Sequence, residues 1–204
     1  PTVGANWAGL PPFGKTASVA YAVVLGMLMV ESKAIAAYRP KPIDLPMLIW
    51  IIVPFFSSVT NPGLGVSDGL SEVYLQIISY GVPYFAGRVL IRTPKDVRTA
   101  AIAMLCAGLL ATPFALWEIR MSPQLHNWVY GFPVAKFHMA VRLGGYRPML
   151  FMRHGLEVGL WMATASAAGL WLMIAGKQQI RLWGYKIAGF AIAVFITTIL
   201  CRSL

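Results

Sequence analysis

The chain has 204 residues, 58% of them hydrophobic and only 12% charged, with a mean hydropathy of +0.67. A soluble domain carries about 25% charged residues, so this composition cannot make a water-facing surface and excludes an ordinary soluble fold. Seventeen Lys and Arg oppose seven Asp and Glu, a net charge of +10, which points to anionic partners: membrane lipids or lipid-linked phosphate. No zinc-finger, RNP or helix-turn-helix pattern appears, so nucleic acid is not expected.

Six apolar segments follow in chain order, at residues 16–30, 45–59, 70–91, 99–119, 156–174 and 187–201. They predict an all-α, polytopic transmembrane helix bundle of about six spans. The shorter segments fall below the roughly 30 Å hydrocarbon core, so flanking Lys15, Lys33, Arg39 and Lys186 are expected to snorkel. Gly81 with Pro83 in the third segment, and Pro113 in the fourth, predict kinks. Cys106 and Cys201 lie within apolar runs and read as small buried hydrophobes. The chain opens at Pro1 without Met and stops just after an apolar run. It is therefore expected to be a fragment of a longer membrane protein, forming a single transmembrane domain over 1–204.

Charge in the connections sets the orientation. Lys33, Arg39 and Lys41, then Arg88, Arg92, Lys95 and Arg98, then Lys177, Arg181 and Lys186 fall on one side, expected to be cytoplasmic. The second connection, 60–69, has Asp68 and no Lys or Arg, as an external loop should. Parity also places Pro1 outside, so an odd number of spans is expected upstream. The fourth connection, 120–155, breaks the bias: it is external by parity yet carries Arg120, Lys136, Arg142, Arg147 and Arg153, and all three histidines, His126, His138 and His154. Either residues 128–141 dip into the bilayer and the count changes, or these cations are kept outside to bind an anion.

Within that connection, Gly145-Tyr146-Arg147-Pro148-Met149-Leu150-Phe151-Met152-Arg153-His154-Gly155 runs straight into the fifth span. Two guanidiniums and an imidazole there can hold a diphosphate through charge-assisted hydrogen bonds of roughly 1.5–3 kcal/mol each. His154 can move a proton near neutral pH. The plainer alternative is contact with lipid phosphate. Glu118 and Arg120 close the fourth span beside Trp117 and Trp128, which suit interfacial anchoring. Glu118 is expected either to pair with an arginine or to orient a substrate hydroxyl. In the third span Glu72, Gln76, Tyr80, Tyr84 and Arg88 recur every four residues, a polar stripe for interhelical hydrogen bonds or for a cavity wall. Gly155 and Gly159 form a small-xxx-small pair suited to close helix packing.

Walker, His-Glu-x-x-His and Gly-x-Ser-x-Gly motifs are absent, as is any Asp-x-Asp pair, and Gly63-Leu64-Gly65-Val66-Ser67-Asp68-Gly69 misses the dinucleotide spacing. The histidines are too scattered to argue for a metal site. No metal and no cofactor is expected.

The arginine-rich external connection, with Arg147-Pro148-Met149-Leu150-Phe151-Met152-Arg153-His154-Gly155 and the following span, resembles the opening of the conserved domain of bacterial O-antigen ligases and polymerases. In that family an Arg-x-x-Gly-Phe-x-x-x-Asn kind of pattern marks the periplasmic entry of a helix. The likeness covers residues 142–173, and it departs at Leu150, where glycine is common, and at His154-Gly155, where a proline-asparagine pair is common. The resemblance implies a GT-C-like helical transferase of the inner membrane. Such an enzyme moves a glycan from an undecaprenyl-diphosphate carrier to an acceptor hydroxyl without a metal. By position, Arg147 would bind the diphosphate and Arg142 and Arg153 would support it; His154, on its own chemistry, could protonate the leaving group, while the histidine that the family uses as base would lie in a later loop beyond Leu204. A multipass transporter or flippase for an anionic or lipid-linked solute is the alternative, and the polar stripe suits it.

Overall fold

The computed structural model describes residues 4–5, 13–133, 140–142, 144–175, 181–182 and 184–201. They are mostly helical and divide into two compact units, Pro1–Arg92 and Thr93–Leu204.

In the first unit a two-residue antiparallel ribbon, β1 (Gly4–Ala5) with β2 (Phe13–Gly14), leads into α1 (Lys15–Val30) and the short α2 (Ser32–Ala36). A single 3-10 turn, Pro42–Asp44, starts α3 (Leu45–Thr60). The third apolar segment is a long helix in three parts: α4 (Val66–Gln76), a π turn (Ile77–Gly81) and α5 (Val82–Leu90). The interruption expected at Gly81 and Pro83 takes this form because Pro83 has no N–H to donate. The extra residue of the π turn lets the Val82 N–H bond to the Ile77 carbonyl, and the helix continues. Small residues set the spacing here. A Cβ on Gly69 would sit 3.0 Å from the Phe55 ring, and one on Gly81 would sit 3.0 Å from Ile51 Cδ1, so α3 lies close against its neighbour. Ala17, Ala20 and Ile78 form the buried core, and the Tyr21 and Tyr74 hydroxyls meet at 2.7 Å beside it.

The second unit starts with α6 (Pro94–Met121). Thr93 accepts the Asp96 N–H at 3.3 Å while Asp96 accepts the Thr93 N–H at 2.8 Å, and Pro94 fills the first helical position. The helix runs on through Pro113. After α7 (Leu125–Tyr130) come β3 (Val141–Arg142) and β4 (Gly145–Tyr146), α8 (Gly155–Ala175), β5 (Arg181–Leu182) and β6 (Tyr185–Lys186), and α9 (Ile187–Leu200). The β3–β4 and β5–β6 ribbons each turn on a glycine with positive φ, Gly144 at +71° and Gly184 at +84°. Arg-Leu-x-Gly-Tyr occurs at both, over 142–146 and 181–185.

Helices α6, α8 and α9 pack through small residues. A Cβ on Gly108 would stand 2.6 Å from Ala165 Cβ, and one on Gly169 would stand 2.9 Å from Ala191 Cβ. Backbones approach this closely only where side chains are absent, which is how helices gain van der Waals contact in lipid. Gly155 has a different neighbour: a Cβ there collides with Cγ and Cδ of Arg147. Leu105, Val158, Met162, Ala165 and Val194 make the centre of this core.

Three helical stretches are long and apolar enough to cross a bilayer, Pro42–Thr60, Pro94–Met121 and Gly155–Ala175. Lys15–Val30 and Ile187–Leu200 are apolar but shorter; the 16 residues of α1 reach about 24 Å. Large apolar side chains cover the outer faces, with Leu110 at 70%, Leu160 at 72% and Ile174 at 86% exposure. Water would not tolerate so continuous an apolar surface, and lipid does. The chain is a helical membrane protein.

Candidate functional site

Glu118 organises the segment between α6 and α8. It lies in the last turn of α6, where the helix dipole disfavours a carboxylate, and it is fully buried. Three backbone donors compensate. The Leu125 N–H, opening α7, donates to Oε1 at 3.1 Å, and the Met149 and Leu150 N–H groups both donate to Oε2 at 2.7 Å. Sequence reasoning left Glu118 between an arginine partner and a substrate hydroxyl; the structure gives its oxygens to backbone amides. A residue 31 positions away in sequence is thereby fixed to the end of α6.

The clamped turn is strained. Leu150 has φ +49°, in the left-handed region that favours glycine, yet its side chain is buried in the core of the unit. This is the position where the resembled pattern commonly has glycine. Burial of the leucine side chain, together with the two short bonds to Glu118, opposes the backbone cost of roughly 1–2 kcal/mol.

Arg147 is 4% exposed and its N–H donates to the Ala140 carbonyl at 2.7 Å. Its aliphatic stem lies over Gly155, the first residue of α8, so the small residue at 155 makes room for the arginine. Arg153 is exposed; its backbone N–H donates to Glu157 Oε2 at 3.0 Å. His154, half-buried, receives the Leu156 N–H on Nδ1 at 3.2 Å, and its carbonyl receives the Glu157 N–H at 3.0 Å. These bonds cap the first turn of α8, with imidazole in the place usually taken by a hydroxyl, while the Glu157 carboxylate holds the N–H of Arg153 one residue before the cap. An Nδ1 that accepts leaves the ring proton on Nε2. Arg120 is exposed in the last turn of α6. The backbone of Arg142 lies in β3, but its side chain, like Lys136 and His138, lies outside the described residues.

His126 is 5% exposed, with Nδ1 3.0 Å from the Phe132 carbonyl and its ring 4.6 Å from Tyr130 and 5.1 Å from Phe132. Tyr130 in turn meets Phe151 edge-on at 6.3 Å, and Trp117 packs on Trp128 at 4.7 Å. This aromatic layer seats α7 beside the clamped turn. Thus the structure ties Glu118 to Met149 and Leu150, Arg147 to Gly155, and Arg153 and His154 to Glu157.

In the first unit the polar stripe is used at one end. Tyr84 and Arg88 both donate to Asp44 Oδ1, at 2.8 and 2.9 Å, whereas Tyr80 packs edge-on to Trp50 and Glu72 is exposed. Gln76 Oε1 is buried, with no hydrogen-bond partner among the described residues. Asp44 escaped notice in the sequence. The available signal was its place as a lone acid opening an apolar run, with two donors of the stripe in need of an acceptor.

No family model, curated protein or solved structure matches the chain. The class defined by fold and surface is a multi-helix membrane protein.

Proposed function

We propose that the chain crosses the bacterial inner membrane about six times and carries residues 120–155 on the periplasmic side. That connection holds the diphosphate of an undecaprenyl-diphosphate-linked glycan for transfer or polymerisation, in the manner of the O-antigen ligases and polymerases that the sequence resembles. The observation that carries this reading is the Glu118 clamp. It fixes the backbone between Arg147 and Arg153 before any ligand arrives, and preorganised cations bind an anion without paying the full cost of ordering.

In this reading Arg153, exposed, makes the bidentate contact with phosphate. Arg147 acts from beneath, where low dielectric screens its charge poorly. Arg120 and Arg142 add to the field, and Glu118 is a positioning residue. The acceptor hydroxyl attacks the anomeric carbon, the bond from that carbon to the diphosphate oxygen breaks, and the guanidiniums compensate the charge on the departing lipid diphosphate. In its imidazolium form His154 lets go of the Leu156 N–H and delivers a proton to the departing diphosphate oxygen, and the proton lost by the acceptor hydroxyl restores it.

Two substitutions in the full-length protein test this. His154→Asn keeps a capping acceptor but removes the proton carrier, and is expected to slow transfer about 10²–10⁴-fold without changing the fold. Arg153→Gln, at an exposed position, is expected to weaken binding of a prenyl diphosphate while leaving a prenyl alcohol unaffected. Unchanged glycan output in both variants overturns the transferase. Loss of solute uptake with intact glycan output would establish a transporter instead.

A further inference from the structure

We infer that the first unit carries a separate binding site for the phosphodiester headgroup of an anionic membrane lipid, where the end of α5 meets the α1–α3 connection, with Arg88 at its centre. This inference is independent of the transferase reading and uses none of its residues.

The site is built rather than merely charged. Asp44 is fully buried and accepts four hydrogen bonds: from Tyr38 Oη at 2.6 Å, the Lys41 N–H at 2.8 Å, Tyr84 Oη at 2.8 Å and Arg88 Nε at 2.9 Å. Its two oxygens are thus taken up in holding the 38–44 loop against α5 and in fixing the plane of one guanidinium. The Arg88 side chain nevertheless stays 32% exposed. A second tie brings the next cation to the same place, since an Arg92 terminal nitrogen donates to the Ala34 carbonyl at 2.9 Å. Lys33, Arg39 and Lys41 are exposed on the connection that these bonds hold. Within 31–44 and 82–92 there are five Lys and Arg against two acids, Glu31 and Asp44, an excess of three positive charges. A fixed, part-exposed guanidinium held against a loop that carries further exposed cations suits recognition of phosphate.

The adjoining surface selects a lipid over soluble phosphate. Ile43 at 68%, Leu45 at 56% and Leu90 at 41% exposure lie directly beside the cations in sequence. A headgroup on Arg88 would lay its acyl chains on this exposed apolar surface. Basic pockets at helix ends, bordered by hydrocarbon-facing side chains, are the usual seat of anionic lipids.

The test is a melting curve of the full chain in detergent, followed through its own Cys106 and Cys201 with a thiol-reactive fluorophore. Phosphatidylglycerol, phosphatidylcholine and inorganic phosphate are titrated separately. Phosphatidylglycerol at a hundredfold excess over Kd is expected to raise Tm by about 5–10 °C, and the other two are expected to leave it unchanged. Replacing Lys33, Arg39 and Lys41 together by Gln alters only exposed side chains, because the Lys41 contact to Asp44 runs through the backbone. That variant is expected to keep its basal Tm and lose more than half of the shift. An equal shift with phosphatidylcholine, a shift reproduced by inorganic phosphate, or an undiminished shift in the triple variant overturns the site.

Discussion

Replacing Glu118 by alanine should do more damage than its place at a helix end suggests. The carboxylate receives two N–H groups in the buried turn at Met149 and Leu150 and a third, part-buried, at Leu125. Stranding a buried donor costs about 1–3 kcal/mol. The two buried amides therefore set a loss of about 3–5 kcal/mol, with the Leu125 N–H adding little because water can reach it. At about 2–4 °C per kcal/mol for a chain of this size, Tm in detergent should fall by roughly 6–20 °C. Glu118→Gln retains a carbonyl for the Oε2 bonds but turns an NH2 towards the Leu125 N–H, so it should fall between alanine and the native residue. Thiol reactivity of Cys201, buried in the core, reports the melting directly. A Glu118→Ala protein that melts within about 2 °C of the native chain would refute the clamp, and with it the preorganised arginines.

Leu150 gives a reversal of the usual order: both Leu150→Ala and Leu150→Gly empty the same core position, at about 2–5 kcal/mol, but glycine relieves the positive φ. The glycine variant should melt above the alanine variant by the equivalent of about 1 kcal/mol, and the opposite order in paired melts would remove the strain argument. Gly108→Ala forces α6 from Ala165 and should cost about 1–3 kcal/mol, whereas Gly189→Ala, with nothing within 4 Å, should be neutral or stabilising by about 0.5–1 kcal/mol; equal effects in both would deny close helix packing. Ser166 is 3% exposed and its Oγ has no hydrogen-bond partner among the described residues, so Ser166→Ala should raise stability by about 1 kcal/mol; a lower Tm would reveal a partner for that hydroxyl.

Helices at these places, and a lipid-facing surface, were fixed by the sequence alone, because long apolar runs have no other way to satisfy their backbone in lipid. The runs at 45–59, 99–119 and 156–174 became helices within a few residues of their expected ends, and Pro83 announced the interruption that the π turn resolves. The cations of the 120–155 connection were likewise visible, since charge is scarce in this chain and every arginine stands out. What each does locally was not visible. Sequence spacing placed Glu118 near arginines in the chain, but a buried carboxylate takes whichever donors the fold brings within reach, and here those are amides 31 and 32 residues away. His154 became a helix cap for the same reason: α8 begins at Gly155, and that start is set where Arg147 lies across the glycine. Asp44, inconspicuous in the sequence, gathers donors from residues 38, 41, 84 and 88. Pairings across such distances are decided by which helices pack together, and packing in lipid follows small residues such as Gly69 and Gly108, whose facing partners no local pattern names.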